Sequence, residues 1–311
     1  MKNKMNLDVN AETIEEKEIE NFLNMLHNNK EIKKFLSLMQ EEATKRDVEK
    51  FRARIKNVDS AIRTYRINNK KLEDVRDYVG VSFITKTEKE IYPIINYLNK
   101  ILPNADFVDF VAEESLYSPL VYIKWVPPLG YNVLAKEPII ADQPKVPIEI
   151  RVCSREGYIS EQSAYYSVQK NDTIQMPVEQ KNNLRNKIQH ISYKFALLNM
   201  RDLTSEERIK HMSEINALLN DNKQLLKENS SIFKDSVSDF GRLVYRYEHD
   251  TEMTEDEKNL SKENIDKLDE KLKEIFETTL EEIEENIIDK VCNAIEKMRL
   301  MSYYDIKKLL S

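Results

Sequence analysis

Two acidic residues stand next to short apolar runs. Asp77 lies just ahead of Val79-Gly80-Val81-Ser82-Phe83-Ile84, a segment β-branched or aromatic apart from Gly80 and Ser82. That run is too short for a stable helix and predicts a buried strand with Asp77 at its mouth. Glu149 sits inside Val146-Pro147-Ile148-Glu149-Ile150-Arg151-Val152-Cys153, whose alternation sends Glu149, Arg151 and Cys153 to one face of a second strand. Carboxylates are costly to bury unless paired or bound to a metal, so two acids on core strands point to a divalent ion. Taken singly, each fits a solvated edge residue equally well. Ahead of Asp77 the chain turns basic, with Lys45, Arg46, Lys50, Arg52, Arg54, Lys56, Arg63, Arg66, Lys70, Lys71 and Arg76 outnumbering the acids among them. Such a cluster suits a polyphosphate, which cations and a metal neutralise together. A solvated helix face is the competing account of a charge run.

These residues need elements to hold them. Residues 10–45 carry Ile14, Ile19, Phe22, Leu23, Leu26, Ile32, Phe35, Leu36 and Met39 at mostly helical spacing, interrupted at Asn28-Asn29. After the Asp77 strand, Thr87 to Glu90 is a helix-start signal, and Ile91, Ile94, Ile95, Leu98 and Ile101 form a stripe that stops at Pro103. Ala105 to Ala112 and Leu120 to Val126 read as strands, and Pro127-Pro128-Leu129-Gly130-Tyr131 as a loop. Helices are expected from Val178 onward, including a capping box at Thr204–Glu207, a helix over Ser231 to Tyr247, a second capping signal at Thr254–Glu257, and a long acidic helix after it. The expected fold class is therefore α/β, an α+β mixed sheet with a long all-helical C-terminal extension. The expected domains are N-terminal helices at 1–45, a catalytic layer at 46–178 and a helical region at 179–311.

Composition narrows the class. With 41% hydrophobic residues among 311 the chain can build a proper core, and 33% charged residues with only 4 glycines favour long solvated helices. A net charge of -7 argues against broad nucleic-acid binding while leaving room for a local basic surface. Cys153 and Cys292 fit reduced thiols and frame neither a disulfide scaffold nor a zinc cluster. No apolar run is long enough to span a membrane, so a soluble, cytoplasmic protein is expected.

The order of these motifs resembles the RelA/SpoT-type alarmone synthetases, over about Arg52 to Lys170. Arg54-Ile55-Lys56-Asn57-Val58-Asp59-Ser60 is similar to the family's Arg-x-Lys-x-x-x-Ser element, and Arg76-Asp77-Tyr78-Val79-Gly80-Val81 to its Asp-x-x-Gly-x strand. Gly130-Tyr131 resembles the opening of the acceptor loop, and Pro147-Ile148-Glu149-Ile150-Arg151 the Val-Glu-Ile-Gln strand. The resemblance implies a nucleotidyltransferase-like synthetase layer that moves pyrophosphate from ATP to the 3′-hydroxyl of GDP or GTP, making the (p)ppGpp of the stringent response. It implies Arg54, Lys56 and Ser60 as ATP-binding residues, and Asp77 and Glu149 as catalytic residues and ligands of Mg2+. Tyr131 would stack on the acceptor guanine, with Arg151 as a further acceptor-binding group. Small family members assemble through helices that follow this layer, so a homo-oligomer is implied as well.

Four positions depart from the pattern. Ser82 stands where the family has Arg, Asn132 and Ala135 replace a basic residue and a His after the tyrosine, and Cys153 replaces an Arg. Arg151, Arg155 and Lys136 are the nearby cations that could substitute. Two alternatives follow: a catalytically degenerate nucleotide-binding regulator of the same fold, or a synthetase with another acceptor such as tRNA. Hydrolase chemistry at His249-Asp250 and a Cys153 nucleophile both lack the companion histidines they would need.

Overall fold

The computed structural model describes residues 14–68, 77–109, 120–127, 131–132, 137–138, 145–169, 171, 174–249, 267, 270–274, 287–301, 305 and 308. The chain divides into two compact units, Met1–Phe110 with Leu120–Ser154, and Val111–Pro119 with Arg155–Ser311.

The first unit is built on a mixed sheet. Its strands are β1 (Lys50–Ile55), β2 (Val79–Thr85), β3 (Asp106–Asp109), β4 (Leu120–Trp125) and β7 (Ile148–Ser154), in the order β1-β2-β7-β4-β3. Only β2 and β7 run parallel; the other neighbours are antiparallel. A separate two-residue pairing joins β5 (Tyr131–Asn132) to β6 (Glu137–Pro138). The registers line residues into rows across the strands, and alternate rows face opposite ways. One face carries Ala53, Val81, Ile150 and Ile123 in one row and Ile55, Val79, Ile148 and Trp125 in the next. Val79, Val81, Ile123, Ile148 and Ile150 are almost fully excluded from water, so this face is the core.

Helices cover that core. Asn29 ends α1 (Ile14–Asn28) and caps α2 (Lys30–Lys45), its side chain accepting from the amides of Glu31 and Ile32 at 2.9 Å. Phe35 of α2 packs on Trp125 with ring centroids 5.6 Å apart, and Phe22 of α1 packs edge-on against Tyr78 at 5.0 Å. At the expected helix start, Thr87 and Glu90 form a capping box ahead of α4 (Ile91–Ile101), with Pro93 in its first turn. Ile91, Ile94 and Leu98 are its buried stripe, and Arg46 at the end of α2 lies 3.9 Å over the Tyr97 ring.

The second unit is helical. It contains α5 (Arg155–Ala164), a π-helical turn over Tyr165–Gln169, α6 (Val178–Met200), α7 (Ser205–Asp221), α8 (Lys223–Glu228), α9 (Ser230–His249) and a helix over Ile287–Arg299. The capping box expected at Thr204 and Glu207 is formed. Phe195 and Phe240 meet between α6 and α9 at 6.3 Å, and Val291, Ala294 and Ile295 bury the face of Ile287–Arg299.

Two elements differ from expectation. The basic stretch after Lys45 opens not as a solvated helix face but as strand β1, because Phe51, Ala53 and Ile55 alternate with the charges; α3 (Val58–Asn68) follows. Helix α5, ahead of the helices expected from Val178, begins the second compact unit at Arg155 and packs with α6 and α9. Apart from Ile159, the uncharged residues it buries are small, Gly157, Ser160, Ser163 and Ala164, and Ser163 Oγ donates to the Ser236 carbonyl at 2.9 Å. The capping signal at Thr254 and most of the stripe after it lie outside the described residues.

Candidate functional site

The sheet face opposite the core carries two polar rows, followed by a row in which Ile84 and Cys153 are buried. Its first row runs Arg54, Gly80, Glu149 and Lys124; the next runs Arg52, Ser82, Arg151 and Tyr122. Within β2 and β7 the residues of these rows are half-buried while their neighbours are buried, so these polar groups line a surface rather than a core.

Asp77 closes one end of the first row. Lys56 follows β1, and its amide donates to the Tyr78 carbonyl at 2.8 Å, extending the β1–β2 pairing past Ile55 and Val79. A bend at Tyr78 precedes β2. Lys56 Nζ donates to Asp77 Oδ1 at 2.7 Å, and Arg54 Nη2 donates to Oδ2 at 3.4 Å. Lys56 is 8% exposed at its side chain against 62% for Arg54, so the lysine is a fixed counter-ion and the arginine a reaching one. Arg54 lies across Gly80: a Cβ built there would meet Arg54 Cγ and Nε at 3.4 Å. Burial, and after it the Asp77 charge, push the Tyr78 phenol up beyond its ordinary range, so Tyr78 stays protonated beside the carboxylate.

Glu149 stands beside Gly80 in the same row. Its Oε1 accepts from Arg151 Nε at 3.0 Å and Nη2 at 2.9 Å. Among the described residues Oε2 accepts no hydrogen bond. The Arg151 guanidinium carbon is also 5.4 Å from the centroid of the Tyr122 ring, which fixes it from the other side.

The structure thus brings Arg54, Lys56 and Asp77 into one ion cluster and Glu149 with Arg151 into a second on the same sheet face. Ser60 sits in the first turn of α3, where its amide donates to the Asn57 side chain at 2.7 Å. Tyr131 opens β5, its backbone in register with Pro138. Of the cations that could substitute at the departing positions, Arg151 is on this face and Lys136 is outside the described residues. Arg155 is engaged instead in the helical unit, donating to Glu156 and to the Met200 carbonyl. Arg52, Tyr122 and Lys124 belong to the same face and were not singled out as site residues from the sequence. The signal for Arg52 was the alternation of β1; that for Tyr122 and Lys124 exists only in the register of β4.

Two carboxylates of hard oxygens suit Mg2+, which is commonly held by one or two acids with water and substrate phosphates completing its shell. No group of three or more His, Cys, Asp or Glu gathers as a ligand set among the described residues. Cys153 is buried, and His249 is buried, stacked on Tyr245 and bonded to the Tyr245 carbonyl. No described helix is long and apolar enough to cross a membrane.

No protein-family model matches the chain, and no curated protein matches it. Among solved structures, it is similar to the small alarmone synthetase 1 from Bacillus subtilis bound to its product pppGpp. Identity is 17% over 65% of this chain and 97% of that one, with a TM-score of 0.41. The same synthetase bound to AMPCPP matches at 17% identity, 66% and 99% coverage and a TM-score of 0.34. A GTP pyrophosphokinase family protein from Streptococcus pneumoniae matches at 15% identity, 67% and 99% coverage and a TM-score of 0.37.

Proposed function

We propose that the chain is a cytoplasmic nucleotide pyrophosphokinase of the RelA/SpoT type, transferring pyrophosphate from ATP to the 3′-hydroxyl of GDP or GTP. The observation that carries this reading is the pair of polar rows, where Asp77 with Lys56 and Arg54 and Glu149 with Arg151 stand on either side of Gly80, over which Arg54 lies. Paired acids set among cations are the charge pattern that a metal-bound polyphosphate complements.

In this reading Lys56 and Arg54 turn from Asp77 to the triphosphate as it arrives. Mg2+ would be held by Asp77 and Glu149, where it supplies neutralisation of the phosphate charge. Glu149 accepts the proton of the attacking hydroxyl; the new O–P bond forms at the β-phosphorus as its bond to the AMP oxygen breaks, and AMP leaves with that electron pair. Such transfer depends mostly on positioning and charge, so no His or Cys nucleophile is required. Tyr131 and Arg151 are assigned to the acceptor, and Ser60 to ATP. A homo-oligomer through the C-terminal helices belongs to the same proposal, and the mass of the full chain in solution tests it.

The departures at Ser82, Asn132, Ala135 and Cys153 favour a second reading, a nucleotide-binding regulator without turnover. Incubation with labelled ATP, Mg2+ and GDP, GTP or bulk tRNA in turn decides between them. AMP release that requires a guanine nucleotide and disappears in Asp77→Asn supports the proposal. Release at the parental rate by Asp77→Asn would overturn it, absence of release with every acceptor would favour the regulator, and release only with tRNA would move the acceptor.

A further inference from the structure

We propose that the side of α6 against which α7 packs binds a phosphate-type anion, held by Lys187, His190 and Lys194 of α6 together with His211 of α7. Both helices belong to the second compact unit, and none of these residues enters the reading of the polar sheet rows. The site therefore stands or falls apart from pyrophosphate transfer.

Helix α6 buries most of its residues from Leu184 onward, and Lys187, His190 and Lys194 are among the few there that stay partly open. Their spacing of three and then four residues stacks them on one side of the helix. From α7, Glu214 Oε2 accepts from Lys194 Nζ at 2.7 Å, and His211 Nδ1 lies 3.3 Å from the same oxygen. One carboxylate oxygen thus answers two nitrogen groups. Among the described residues, Lys187 and His190 have neither a hydrogen bond nor an ion pair.

The charge balance here favours an anion. Burial first, then Lys194 and then Lys187 hold His190 down at about 4, and Glu214 offsets only part of this. A half-buried imidazole without a hydrogen bond is costly, and two lysines beside it add repulsion. A dianionic phosphoryl group reverses both effects: it pairs with the ammonium groups, accepts from the imidazoles and draws a proton onto His190, which then donates from both ring nitrogens. A carboxylate has less charge and fewer oxygens, so it matches these four groups less well. The competing account is that Glu214 clamps α7, whose one buried residue is Ile215, onto α6 through Lys194. Such a clamp needs no ligand and leaves His190 indifferent to anions.

The test follows the imidazole resonances of the full chain labelled at its 4 histidines, with His190 assigned by its loss in His190→Gln. At pH 6.5 free His190 is neutral; inorganic phosphate should move its resonance toward the imidazolium position along a saturating curve. Sodium chloride at equal ionic strength should move it far less. Lys187→Gln should raise the half-saturating phosphate concentration about tenfold, the loss expected for one charge-assisted contact, and Lys187→Arg should recover part of it. Lys187 has no partner to lose, so its removal leaves α7 in place. A resonance that phosphate does not move, that chloride moves equally, or whose curve is unchanged in Lys187→Gln overturns the site. AMP titrated separately identifies the source: half-saturation below that of phosphate gives a phosphomonoester as occupant, and half-saturation at or above it gives free phosphate. Asp77→Asn, which should end transfer, should leave the phosphate curve unchanged, so the two proposals fail separately.

Discussion

Glu149 and Glu156 lie close together in sequence, both pair with arginine, and they show two different uses of a carboxylate. Glu149, in β7, takes both of its bonds from Arg151 on one oxygen and keeps a side-chain exposure of 19%. Glu156, in α5, has none: Arg155 Nε and Arg201 Nε bond Oε1 at 3.1 and 2.9 Å, and Arg201 Nη2 bonds Oε2 at 3.2 Å. The same pair of arginines secures the end of α6, since Arg155 also donates to the Met200 carbonyl and Arg201 follows that helix. Among the described residues the first acid has one oxygen that accepts no hydrogen bond. The second is saturated, and its work is structural.

The largest effect that could break this contrast is on turnover. Glu149→Gln should lower pyrophosphate transfer by about 10²–10³-fold, the range for losing one well-placed charge-stabilising group. Its unfolding free energy should change by no more than about 1 kcal/mol, as for a solvent-screened pair. AMP release and urea denaturation on the same preparation read both. Glu156→Ala should do the opposite, costing about 3–5 kcal/mol of stability because two arginines lose their buried partner. Its folded fraction should keep parental KM and kcat; a turnover defect at full folding would remove the distinction.

A smaller effect sharpens the account of the exposed site. Gly80→Val puts branched atoms where a Cβ already meets Arg54 at 3.4 Å, so it should move Arg54 away from Asp77. KM for ATP should rise a few-fold, with a smaller change in kcat. The smallest expected effect is on pH dependence in the helical unit. Burial, with Lys194 and Lys187 adding repulsion, lowers His190 from 6.5 to about 4. A folded-state pKa below the unfolded one means stability is fully present above pH 6.5 and declines as pH falls toward about 4. Urea midpoints across that window should slope down in the parental chain and flatten in His190→Gln.

Much of the scaffold was legible because its signals are local. The break at Asn28-Asn29, the Thr204 capping box, the strand around Gly80 and the alternation of Glu149 and Arg151 need only neighbouring residues to form. Strand β1 was hidden because Lys50, Arg52 and Arg54 read as a charge run; its period of two makes sense only once Phe51 meets Phe83 across the sheet at 5.4 Å. Helix α5 was hidden for the opposite reason. Ile159 is its one large aliphatic residue in the core, and a stripe of Gly157, Ser160, Ser163 and Ala164 carries no hydrophobic period.

By itself the sequence determined the residue types of the site and which elements carry most of them, since strand alternation and helix capping are decided within a few residues of chain. Only the tertiary structure decided which cation answers which acid: Lys56 and Arg54 for Asp77, Arg151 for Glu149, and Arg155 for Glu156 in the other unit. Partner choice between charges depends on strand order and register, which join residues far apart in the chain and leave no mark on the order of their neighbours.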